Sequence, residues 1–109
     1  MGLDLYLIKR NKYTINDVMY WRKQWWVVDY FRKFGKTLDD ESGFPLTKQE
    51  IDSFVSDCKR VIKEPSKRRS ILGINPSELD KNETVLMLQN TVNSLENLED
   101  GDYALYASY

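Results

Sequence analysis

The side chains best suited to chemistry crowd into one short stretch, Tyr20-Trp21-Arg22-Lys23-Gln24-Trp25, with Arg32 further along the same segment. Flat rings beside fixed cations can stack a nucleobase and hold a phosphate, or seat a protein partner. Tyr20, Trp21 and Trp25 would supply the rings; Arg22, Lys23 and Arg32 would supply the charge. Other chemistry is poorly provided for. The chain has 109 residues, no histidine and one cysteine, Cys58. Ser-His-Asp and Cys-His arrangements are therefore excluded, as are an internal disulfide and a zinc cluster. Cys58 falls on an apolar helical stripe and reads as a buried small hydrophobe. Asp39, Asp40 and Glu41 match no calcium loop and read as a solvated turn. No phosphate loop, dinucleotide fingerprint or paired-carboxylate signature is present. The expectation is a non-enzyme with no cofactor and no metal.

The elements that would position these groups follow from periodicity. Leu3, Leu5 and Leu7 alternate with Asp4, Tyr6 and Ile8, the pattern of a half-buried strand over 3–8. Thr14 and Asp17 suit the start of a helix, and Gly35 suits its left-handed stop, predicting a first helix from Thr14 to about Phe34. Asp39 to Gly43 reads as a polar turn. Thr47 and Glu50 form a capping box, with Leu46 and Ile51 as its hydrophobic staple. Ile51, Phe54, Val55, Cys58, Val61 and Ile62 then make one apolar stripe, and Pro65 ends that helix. Pro65 to Leu79 reads as a long loop bearing Lys67-Arg68-Arg69. Asp80 and Glu83 open a third helix with Val85, Leu88, Val92 and Leu95 buried and Leu86 and Leu98 beside them; Gly101 closes it. Tyr103, Leu105, Ala107 and Tyr109 alternate as a closing strand.

The predicted first helix is unusual. Its aromatic and aliphatic residues occupy far more of the circumference than the stripe of an ordinary surface helix. Either the helix is central, packed on several sides, or part of the arc belongs to a ligand or partner. On a helical wheel Trp21, Trp25 and Arg32 share a ridge next to the polar face. Lys23 falls inside the aromatic arc, where its ammonium must snorkel, pair or meet an anion.

Composition narrows the class. The chain is 41% hydrophobic and 30% charged, which excludes a disordered or low-complexity segment; the 13% aromatic content is high. No apolar run is long enough to cross a membrane, and no N-terminal stretch reads as a signal peptide. The net charge of −1 conceals segregation: residues 9–36 carry +6 and residues 78–102 carry −6. The acidic helices could neutralise the basic segment, or the basic segments could face an anion. Duplex DNA is disfavoured for want of a basic excess.

The opening Met1-Gly2-Leu3-Asp4-Leu5-Tyr6-Leu7 resembles small proteins of tailed phages and prophages. So do Tyr20-Trp21-Arg22-Lys23, the pair Tyr30-Phe31, a turn at Gly43, Cys58-Lys59 late in a helix, and the ending Ala107-Ser108-Tyr109. The chain departs from that pattern at Trp25 and Val28, where a polar residue and a histidine are usual. The resemblance implies a phage-encoded accessory protein acting in the host bacterial cytoplasm.

Taken together, residues 1–109 are expected to form a single α+β domain of order β-α-α-α-β. Its terminal strands pair antiparallel under three helices. Two strands make a marginal sheet, so a homo-oligomer that extends it is expected. The functional expectation is counter-defence by sequestering a nucleotide-derived immune signal through Tyr20, Trp21, Arg22, Lys23, Trp25 and Arg32. The alternatives are a protein–protein inhibitor of a host defence enzyme, such as a CRISPR effector, and a phage structural or assembly protein.

Overall fold

The computed structural model describes residues 2–11, 13–36 and 43–108. Strand β1 (Asp4–Arg10) and strand β2 (Ile15–Arg22) form a hairpin, closed by the Asn11 N–H donating to the Thr14 carbonyl at 2.8 Å. Helix α1 (Trp25–Arg32) follows, then the short strand β3 (Gly43–Leu46) and helix α2 (Lys48–Lys63). A 3-10 turn (Pro65–Lys67) leads into helix α3 (Arg68–Leu72), helix α4 (Lys81–Leu95) and strand β4 (Asp102–Ser108). The strands form one antiparallel sheet in the order β2-β1-β4-β3. The α+β class is as expected, and the terminal strands pair antiparallel with helices packed on the sheet.

The predicted helix over Thr14–Phe34 is corrected. Its first half is β2, and only Trp25–Arg32 is helical. Met19 and Trp21 lie opposite Leu7 and Leu5 of β1, while Tyr20 and Arg22 lie opposite Tyr6 and Asp4. Period-two alternation thus serves this stretch, with an irregularity between Leu7 and Ile8 of β1 that leaves Val18 without a cross-strand partner. β-branched and aromatic residues favour the pleated surface, and pairing with β1 outweighs the capping signal at Thr14. The unusually wide aromatic arc came from wrapping a strand and a helix onto one wheel. Because β2 and β3 supply two further strands, the sheet does not need a second chain to become viable. The acidic turn at Asp39–Glu41, Lys12 and Tyr109 lie outside the described residues.

The other helices follow their capping signals. Both reciprocal bonds of the Thr47–Glu50 box are made, and the Asp80–Glu83 box is likewise complete. Ile51, Phe54, Val55, Cys58 and Val61 are buried as predicted. On α4 the buried line is Thr84, Leu88, Thr91, Val92 and Leu95; Leu86 is exposed. Thr84 and Thr91 donate to the carbonyls of Asp80 and Met87, so neither hydroxyl is buried without a partner. The predicted loop over 65–79 contains α3, stopped by Gly73 at φ 73°. Arg68 is buried there, and its guanidinium donates to the Leu79 and Pro65 carbonyls. That part of the basic run is therefore structural.

The buried side chains form a cluster centred on Phe54. Its ring meets Trp21 of β2 and Trp26, Tyr30 and Phe31 of α1 at centroid distances of 5.0 to 6.2 Å. Charge segregation is resolved by neutralisation in part: Lys33 pairs with Asp57 at 3.6 Å and Lys36 with Glu50 at 3.2 Å. Burial acts to raise the Glu50 pKa, but bonds from the Thr47 N–H and the Lys36 ammonium outweigh it, leaving the carboxyl below its ordinary value.

Two outcomes follow. Trp21→Ala should cost about 3–5 kcal/mol in denaturant melts, because it empties a buried indole site and removes the indole's bond to Thr91. The lowered Glu50 pKa stabilises the fold fully above the ordinary glutamate range, and that contribution is lost as pH falls through the lowered value. Glu50→Gln should therefore be less stable at neutral pH but lose stability less steeply below about pH 4.

Candidate functional site

The turn from β2 into α1 gathers most of the predicted site residues. β2 ends at Arg22, and the Lys23 N–H still donates to the Leu3 carbonyl at 2.6 Å, extending the ladder by one residue. Lys23 then takes φ 61°, a left-handed conformation that favours glycine. This reverses the chain into α1. Gln24 holds the corner on both sides: its amide donates to the Arg22 carbonyl at 3.0 Å, and its oxygen accepts from the Trp26 indole at 2.7 Å. Trp26 is thereby turned into the core beside Phe54, and Trp25 is left 46% exposed. No side chain caps α1.

A groove of about 520 Å³ lies against this corner. Lys23, Trp25 and Asp29 line one wall; Ile74, Asn75 and Glu78, from the segment after α3, line the other. A smaller hollow of about 240 Å³ adjoins it through Gln24 and is bordered by Tyr20, Arg22 and Asn90. The larger groove falls within the usual range for small-molecule sites. Its charge is mixed, one ammonium against two carboxylates. That suits a ligand with few phosphates and several polar edges better than a polyanion.

The predicted residues separate into groups. Lys23 and Trp25 share the groove, with Arg22 and Tyr20 on the adjoining hollow. Lys23 is exposed, which corrects its expected position inside an aromatic arc. Trp21 is a core residue that only borders the smaller hollow. It is 3% exposed, packed edge-on against Phe54, with its indole donating to Thr91 at 3.1 Å. The expected Trp21-Trp25-Arg32 ridge is thus absent, since Trp21 stands on a strand. Arg32 lies at the far end of α1, roughly 10 Å along the axis from Trp25, and pairs with Asp29 at 2.7 Å. It does not itself line the groove and reaches it only through Asp29.

Tyr20 is engaged as well as exposed. Its hydroxyl donates to Asp4 at 2.6 Å, and that bond raises the phenol pKa. Reasoning from sequence missed Asp29, Asn75 and Glu78 as groove residues. Asn75 and Glu78 flank Pro76 in a segment read as loop, where only the chain path could bring them to α1. Cys58 is buried on α2, and burial pushes its thiol pKa up, away from nucleophilic chemistry. Among the described residues, no group of three or more carboxylate and cysteine ligands is placed to hold a metal ion. No helix among them is long and apolar enough to cross a membrane. No family model, curated protein or solved structure matches the chain.

The strained backbone at Lys23 can be separated from its charge. Lys23→Gly should keep stability or raise it by up to about 1 kcal/mol in denaturant melts, because glycine adopts positive φ without the Cβ clash. A clear loss of stability would show that the lysine side chain, and not the turn, holds the corner.

Proposed function

We propose that this chain is a non-catalytic accessory protein, encoded by a phage or prophage, that sequesters a nucleotide-derived immune signal in the host bacterial cytoplasm. The observation that carries the reading is the groove at the β2–α1 corner, where the half-exposed Trp25 indole stands beside Lys23. A base would stack on Trp25 and a phosphate would meet Lys23, with Arg22 next along the chain. Asp29, Asn75 and Glu78 would accept or donate hydrogen bonds at the base edge or ribose. The phage origin is supported by the resemblance of Met1–Leu7 and Tyr20–Lys23 to phage proteins. Sequestration needs affinity alone, which suits a chain without histidine whose thiol is buried.

Lysine in a left-handed backbone supports the same reading. Such positions cost stability and are retained where the side chain serves another purpose. One competing reading has a specific observation behind it: an exposed indole such as Trp25 is also a common anchor at protein interfaces. That reading makes the chain an inhibitor of a host defence enzyme.

Thermal-shift and native mass-spectrometry titrations with cyclic di- and trinucleotides and ADP-ribose test the proposal. A bound nucleotide should raise the melting temperature and appear at fixed stoichiometry. Trp25→Ala and Lys23→Gly should each weaken it about tenfold or more, a loss of about 1.4 kcal/mol, while circular dichroism stays unchanged. Trp21→Ala is not a valid binding control, because it removes core. Binding that survives both corner variants, or none across the series, would overturn the groove assignment. In the latter case, co-purification of a host enzyme that is lost in Trp25→Ala would favour inhibition.

A further inference from the structure

Helices pack against one face of the sheet, through Leu5, Leu7, Trp21, Tyr103 and Leu105. The opposite face carries the alternate residues of the same strands, and no described helix covers it. The strand register sets out its rows. Tyr20, Tyr6, Tyr106 and Gly43 form one row across all four strands. Asp17, Ile8, Ala104 and Pro45 form the next. Arg22, Asp4 and Ser108 lie beyond the tyrosines, and Ile15, Arg10 and Asp102 lie beyond Ile8. Two central rows are thus mainly apolar, and each end row holds one base and one acid. Tyr20 and Tyr106 are 46% and 42% exposed, while Ile8 is buried yet stands apart from the helix-side core.

A row of tyrosines on an open sheet could also stack bases of a single strand. The charge argues against it: Arg10 and Arg22 face Asp4, Asp17 and Asp102, so the face offers a polyanion no net attraction.

The same pattern is self-complementary. We infer that this open face is the interface with a second copy of the chain, packed sheet on sheet about a two-fold axis running across the strands near Leu7. Such an axis places each strand over its own counterpart, reversed. Tyr6 then meets the partner's Ile8, and Tyr106 meets the partner's Ala104, a large ring over a small side chain. Asp4 meets the partner's Arg10, and Arg10 meets the partner's Asp4. The contact is isologous, as a two-fold dimer requires. Both charged positions are on β1, about 10 Å either side of the axis along the strand. The crossing of about 30° usual between packed sheets shifts them only by a distance that an arginine can span. Tyr20, tied to Asp4, fixes that carboxylate at the rim. This inference does not depend on the groove at the β2–α1 corner.

The charge pair provides the test, because Asp4 and Arg10 of one copy lie about 20 Å apart along an extended strand and cannot touch. The measurement is sedimentation equilibrium of the full chain from about 1 to 100 µM, a range that brackets moderate interface affinities. The wild type should dimerise. Tyr106→Asp should be monomeric with an unchanged circular dichroism spectrum, its position being on the surface. Asp4→Arg should weaken dimerisation about tenfold or more, and adding Arg10→Asp should restore it to within a few-fold. A wild type that stays monomeric throughout overturns the inference. So does a dimer that tolerates Tyr106→Asp, or a double variant no tighter than Asp4→Arg alone.

Discussion

The ring of Phe54 is the point on which the remaining packing depends. It comes from α2, yet it touches Trp21 of the sheet and Trp26, Tyr30 and Phe31 of α1. Four aromatic neighbours around one phenyl bury a large apolar area. Offset and edge contacts add about 0.5–1.5 kcal/mol per pair beyond that area. Through this ring α1, only eight residues long, gains a stability that its own hydrogen bonds could not give it. The orientation of α1 in turn decides which tryptophan is buried. Trp26 goes to Phe54, and Trp25, one residue earlier, faces outward.

Most of the architecture could be read from local signals. The capping boxes at Thr47 and Asp80 and the stripe from Ile51 to Val61 identified α2 and α4, because those helices are amphipathic and two-sided. The terminal strands showed in plain alternation. Failure came at residues 15–22, where the irregularity at Val18 interrupts the alternation, Asn16 takes an inward position and Ile15 and Tyr20 face outward. An alternation so mixed on both sides has no distinct period, so a helical wheel accepted it. β3 was missed because Gly43–Leu46 is four residues long and contains a proline. Such a segment is a strand only because β4 lies beside it.

The candidate site was legible as a neighbourhood but not as a geometry. Tyr20, Arg22, Lys23 and Trp25 do collect at one corner, since they are neighbours in sequence. Which of them face solvent was set by β pairing and by the left-handed turn at Lys23, neither of which composition reveals. Trp21 shows the difference: by residue type it is the best stacking platform in the chain, and its indole is spent on Thr91 and Phe54. The high aromatic content therefore serves the interior first, with a remainder left on two surfaces.

The sheet order has a bearing on how the chain is made. β1 sits between β2 and β4, so a strand at 4–10 must wait for one at 102–108 to be made. Until β4 emerges, the hairpin of β1 and β2 presents Leu5, Leu7 and Trp21 with an open edge beside them. Closure across that separation costs entropy and delays folding. During that interval the nascent hairpin is a template for stray strand pairing, in the manner of any long unpaired edge. A chain stalled before Asp102 would be expected to attract chaperones or proteases, whereas one that includes β4 would withdraw the same residues within a single cooperative step.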